Sequence, residues 1–160
     1  MHAEQTLETP PRLLADAMLG KLAGWLRVLG YDTRYLQGDD AWIAHEARAD
    51  DRVLLTRDRE LARRRGLKVI LVQSQSLHKQ LAQVVASVGA PPEGTTSRCM
   101  ACNVSLRRLS VEEARPDVPR YVAQTQRYFC SCPKCGKIYW RGTHWEGIEG
   151  QIEQALADLV

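Results

Sequence analysis

The sequence has no apolar run approaching the roughly 18 residues that a membrane span requires. Its opening, MHAEQTLETPPR, lacks both the basic start and the apolar core of a secretory signal. No segment repeats, and the only low-complexity feature is Arg63-Arg64-Arg65. These absences point away from membrane, secreted and repeat architectures, and a cytoplasmic protein is expected. A large charge excess is missing too. The formal net charge is +3 over 160 residues, which alone does not announce a nucleic-acid binder. Apolar residues at 44% and charged ones at 26% are ordinary globular values, with no bias towards disorder.

Cysteine is absent before position 99 and after position 135, and all five cysteines fall between. In a reducing compartment such clustering favours metal over disulfides. Cys99-Met-Ala-Cys102-Asn103 and Cys132-Pro-Lys-Cys135-Gly136 are two C-x-x-C knuckles about thirty residues apart. In each, two thiolates can share one ion while the turn aims backbone amides at the sulfurs. The residue that follows must often take a left-handed conformation, which Asn103 and Gly136 tolerate best. A tetrahedral zinc site on Cys99, Cys102, Cys132 and Cys135 is expected. With all four positions filled by protein, its role is structural. Cys130 in place of Cys132 would leave four residues between the thiols, a less usual knuckle, so Cys130 reads as a free thiol in a strand. The charge is also concentrated here: residues 98 to 145 hold nine Lys/Arg against three acids, a net +6. That is a basic module attached to a nearly neutral one.

The first ninety residues alternate between strand and helix patterns. Arg12 to Ala15 reads as a strand, and apolar positions 19, 22, 23, 26 and 29 mark a helix that Gly30 stops. Asp32 to Leu36 is a second strand, and Asp40 to Ala49 a helix with Trp42, Ile43 and Ala47 expected inward. Val53 to Leu55 is a third strand, Arg57 to Arg65 a short basic helix, and Lys68 to Val72 a fourth strand. A closing helix carries Leu77, Leu81, Val84, Val85 and Val88 and ends at Gly89. Strands joined by single helices run parallel, so the fold class is α/β with a mainly parallel sheet flanked by helices. The expected organisation is a tail at 1–10, an α/β unit at 11–90, a linker at 91–97, a zinc ribbon at 98–146, and a C-terminal helix or tail at 147–160.

Sites in open parallel sheets form outside the carboxyl ends of the strands. Asp16 follows the first strand, Asp39 and Asp40 the second, and Asp58 the third. Singly, each suits a helix N-cap. Together they are a candidate carboxylate site for Mg²⁺ or Mn²⁺, hard cations that such oxygens hold and that assist phosphodiester cleavage. Glu60 is an alternative acid, although its place on a short exposed helix suggests solvation. Lys21, Arg57, Arg59 and Arg63 lie on helices that start at this edge and are candidate phosphate contacts.

Three motifs then carry a resemblance. Asp16-Ala-Met-Leu-Gly-Lys-Leu-Ala-Gly-Trp-Leu-Arg-Val-Leu-Gly-Tyr-Asp-Thr33, Leu54-Leu-Thr-Arg-Asp-Arg-Glu-Leu61 and Tyr139-Trp-Arg-Gly-Thr-His-Trp145 closely resemble the Mut-seven C-terminal family, a PIN-related ribonuclease domain with a zinc ribbon. The likeness spans Arg12 to Trp145. It implies a PIN-like fold and metal-dependent cleavage of RNA, with Asp16 as the first acid, Asp40 or Asp39 as the second, and Asp58 of the T-x-D element as the third. A fourth acid, common in PIN nucleases, has no plain counterpart. Tyr139 and Trp140 are expected to pack the ribbon onto the α/β unit, while Arg141 and His144 are candidate RNA contacts. The function expected is an endoribonuclease acting on single-stranded RNA. The alternative is a non-catalytic RNA- or ribonucleoprotein-binding module of the same fold.

Overall fold

The computed structural model describes residues 10–92 and 94–142, together with 147, 149–151, 153, 154 and 157. The expected N-terminal tail, apart from Pro10, lies outside the described residues, as do Thr143, His144 and Trp145. The positions described beyond 146 are helical.

Four parallel strands form the first sheet: β1 (Leu13–Ala15), β2 (Thr33–Tyr35), β3 (Val53–Thr56) and β4 (Val69–Leu71), in the order β2-β1-β3-β4. Helices α1 (Gly20–Leu29) and α4 (Leu77–Val88) cover one face, while α2 (Asp40–Ala49) and the short α3 (Arg59–Ala62) cover the other. The apolar runs of β1 and β3 need both covers. Alternate residues point to opposite faces, so Leu13, Ala15 and Leu55 pack beneath α1 and α4, while Leu14 and Leu54 pack beneath α2 and α3. All five are fully buried. Gly30 ends α1 with φ +108, and a Cβ there would stand 2.7 Å from the Thr95 methyl. Only glycine satisfies both demands.

A second, antiparallel sheet contains β5 (Arg107–Leu109), β6 (Phe129–Ser131) and β7 (Ile138–Trp140), in that order. Between β5 and β6 lie two helices, α5 (Val111–Ala114) and α6 (Arg120–Thr125), that the sequence pattern did not suggest. They close a small core of Leu109, Ala114, Val122 and Phe129. Ser110 and Glu113 form a capping box at α5, and that S-x-x-E spacing is the local signal for it.

Two other expectations change. Trp42 does not face inward: Ile43, Ala44 and Ala47 occupy the buried stripe of α2, which turns the indole outward across Gly38 and leaves it 42% exposed. The helix expected over Arg57–Arg65 is one turn, Arg59–Ala62. Leu61 is its only buried residue, and a single anchor cannot offset the nucleation of a longer helix against three adjacent like charges.

Candidate active site and metal centre

The connection from β1 leads to α1 on one face and that from β3 to α3 on the other, so the chain parts between these neighbouring strands. That is the topological switch point, where open α/β sheets leave a crevice at their carboxyl edge. Asp16 and Asp58 flank it. Asp16 is buried, and its two oxygens accept from the Met18 amide at 3.2 Å and from the Thr56 hydroxyl at 2.5 Å. The Thr56 oxygen accepts in turn from the Asp58 amide at 3.0 Å. Thr56 therefore connects the two acid-bearing turns. Asp58 Oδ1 caps α3, taking the amides of Glu60 at 2.9 Å and Leu61 at 3.3 Å.

The second acid comes from the loop after β2, on the other side of β1. Asp39 caps α2 through the Trp42 amide at 2.8 Å, and Asp40 sits in the first turn, half-buried. Glu60 is exposed, in the first turn of α3. Lys21, Arg59 and Arg63 are exposed and Arg57 half-buried, all in or beside the helices that leave this edge. Among the described residues the acids do not form a group close enough to share one ion. Carboxylates repel one another unless a cation draws them together, so an open arrangement is what charge alone dictates. Their donor chemistry, hard oxygens on adjacent loops, fits Mg²⁺ or Mn²⁺.

The cysteines do converge. The sulfurs of Cys99, Cys102, Cys132 and Cys135 all lie within 4.8 Å of one another, the one such group of ligating side chains among the described residues. Zinc–sulfur bonds of about 2.3 Å in a tetrahedron require sulfurs about 3.8 Å apart. The Cys99–Cys135 separation is 3.8 Å. Both knuckles turn through the expected left-handed residues, Asn103 at φ 59 and Gly136 at φ 79. The amides of Lys134 and Cys135 reach the Cys132 sulfur at 3.4 Å. Cys130 lies in β6, outside the cluster.

Electrostatics in the cluster are divided. Burial opposes ionising Cys99, but the Tyr139 hydroxyl at 3.2 Å and the Cys102 and Ala101 amides outweigh it, bringing the thiol down to about 6. Desolvation, then the neighbouring thiols, push Cys102 up to about 12. Four thiolates cannot accumulate side by side without a cation, and a dication removes the conflict. The cluster fits a zinc ion.

A family model described as the Mut7-C RNAse domain matches residues 11–152. The chain belongs to the Mut7-C family. No curated protein and no solved structure matches it. The family match spans both the acid-bearing edge and the cysteine cluster, so the two sheets belong to one family unit.

In this Mut7-C chain the ribbon is fastened to the amino end of the parallel sheet, opposite the acids. Asn103, the left-handed residue of the first knuckle, accepts from the Thr33 amide at 3.0 Å and donates to Asp32 at 2.7 Å. Arg27 of α1 donates to the carbonyls of Thr33 and Met100 at 2.7 and 2.5 Å. Tyr139 packs at the cysteines, where its oxygen accepts from the Met100 amide at 3.0 Å. Trp140 is not packed away; it remains 37% exposed. Arg141 is exposed just past β7. Sequence reasoning missed the connecting role of Thr56 and the docking role of Asn103. The T-x-D spacing was a signal for the first. Nothing local signals the second.

Proposed function

We propose that the chain is a metal-dependent endoribonuclease of single-stranded RNA, with residues 11–90 as the cleaving unit and 98–146 as a ribbon that extends the RNA-binding surface. The observation that carries this reading is the Asp16–Thr56–Asp58 connection at the switch point of a chain that belongs to an RNase family. Asp16, Asp58 and Asp40, with Asp39 as the alternative, would hold Mg²⁺ or Mn²⁺. When bound, that ion supplies charge stabilisation and an acidified water for phosphodiester hydrolysis. The residues themselves set the geometry. Thr56 holds Asp16 in one orientation, and the α3 amides hold Asp58 Oδ1, leaving Oδ2 without a hydrogen-bond partner among the described residues. Lys21, Arg57, Arg59 and Arg63 anchor flanking phosphates. Four cysteines gathered for a metal ion, with Cys130 outside the cluster, suit the reducing cytoplasmic setting that this reading takes.

One observation favours a second reading. Asp16, Asp39 and Asp58 each cap a helical turn, a role that needs no catalysis, and a PIN-like shell that only binds RNA would keep them for that reason. The two readings part in one assay, cleavage of single-stranded RNA in Mn²⁺. Asp58→Asn and Asp16→Asn should abolish cutting, while Asp58→Asn keeps its cap and its melting temperature, because Asn caps as well as Asp. Glu60→Gln should cut normally. RNA retained but uncut by the native chain would establish the binding module instead.

A further inference from the structure

One face of the antiparallel sheet is closed by α5 and α6. The other presents the Arg108–Cys130–Tyr139 row, and the alternation carries Tyr128 and Arg141 to the same side. Here a cleft opens between the ribbon and α1, lined by Val28, Leu106, Tyr128, Tyr139, Trp140 and Arg141 among others; Trp140, paired with Phe129, sends its side chain towards the α5–α6 face. Tyr139 belongs to the cysteine cluster. Tyr128 does not, and it keeps a large exposed surface, 41%. The Arg108 guanidinium lies 4.6 Å from the centre of the Tyr128 ring and that of Arg141 5.3 Å away.

An apolar slot with aromatic walls and a guanidinium rim matches one ligand chemistry: a flat base carrying an anionic group. The surrounding segment is strongly basic, and a loaded zinc site, four thiolates and one dication, removes only part of that charge. Duplex RNA keeps its bases stacked and offers only phosphates and groove edges, so it cannot reach the aromatic walls. We propose that this cleft binds one unpaired nucleobase of single-stranded RNA against Tyr128, with Arg108 and Arg141 on the adjoining phosphate. The proposal rests on RNA being the substrate, and adds a holding site on the ribbon at a distance from the acids.

The test is the affinity of a short fluorescein-labelled oligouridine for the full, zinc-loaded chain carrying Asp58→Asn, without Mg²⁺ or Mn²⁺. Tyr128→Leu should weaken binding by roughly tenfold, the scale of one lost base stack. Arg108→Gln with Arg141→Gln should weaken it at least as much and flatten its salt dependence. Zinc content and melting temperature serve as controls, and the arginine pair keeps the test open should the leucine variant lose zinc. Duplex RNA should respond to the arginine changes only. Unchanged oligouridine affinity in these variants, or an equal loss on duplex from Tyr128→Leu, overturns the proposal. The nuclease reading fails separately: cutting that persists in Asp58→Asn, while the cleft variants lose affinity, removes the catalytic assignment and leaves the cleft standing.

Discussion

Thr56 donates its one hydroxyl proton to Asp16 and accepts the Asp58 amide, from a position that is itself fully buried. Thr56→Val keeps the shape and removes both bonds. The Asp16 carboxylate would lose a buried donor, at about 1–2 kcal/mol of stability. Cleavage should fall about 10- to 100-fold, the usual effect of releasing a group that orients a ligating carboxylate. Thr56→Ser should restore both. Initial rates on single-stranded RNA in Mn²⁺, with thermal melts, check this, and a fully active valine variant would detach Thr56 from the site. Asp16 and Asp58 were legible in the sequence because one directly follows an apolar strand and the other comes two residues after one. The bond from Thr56 was not, since its partner lies 40 residues away and only strand pairing brings them together.

Among the elements, the amino ends of the strands are tied by charge. Arg52, buried just before β3, donates to the Leu13 carbonyl at 3.1 Å and to the carboxylates of Asp32 at 2.8 Å and Asp50 at 2.5 Å. Asp50 is held down to about 2, chiefly by its bond from Arg52. A carboxylate depressed in the folded state contributes stability that is fully present above its ordinary value, about 4, and is lost as pH falls towards about 2. The melting temperature should therefore fall across that window. Asp50→Asn should lower it at neutral pH and flatten part of the acid fall; an unchanged pH profile would deny Asp50 this role. The strands and long helices were legible to within a residue or two at most ends, because their periodicity and their glycine stops are local. Trp42 and α3 were not, since which stripe of a helix is buried, and how much helix one anchor can hold, depend on the sheet beneath.

The whole molecule joins a sheet with a hydrophobic core to a ribbon organised by cysteines. Asn103 and Arg27 make that joint, so metal binding should stabilise more than the ribbon. Chelation should remove one zinc per chain, lower the melting temperature, and speed hydrogen exchange at the Thr33 amide. Asn103→Gly keeps the left-handed turn but not the side-chain bonds, so it should retain zinc and lose about 1–2 kcal/mol. Cys130→Ala should keep full zinc content. Metal analysis alongside melts separates these outcomes, and a melting temperature indifferent to chelation would contradict the coupling.

The sequence by itself determined the alternation of strands and helices, the two knuckles and their left-handed exits, and the carboxylates at the strand ends. Each of these is written in a few neighbouring residues, as a period, a spacing or a cap. Tertiary structure decided which of them meet. Thr56 with Asp16, Tyr139 with Cys99 and Asn103 with Thr33 pair across 40, 40 and 70 residues, and the aromatic cleft needs α1 and the ribbon together. Such contacts depend on the packing of both sheets, and no window of local sequence contains that information.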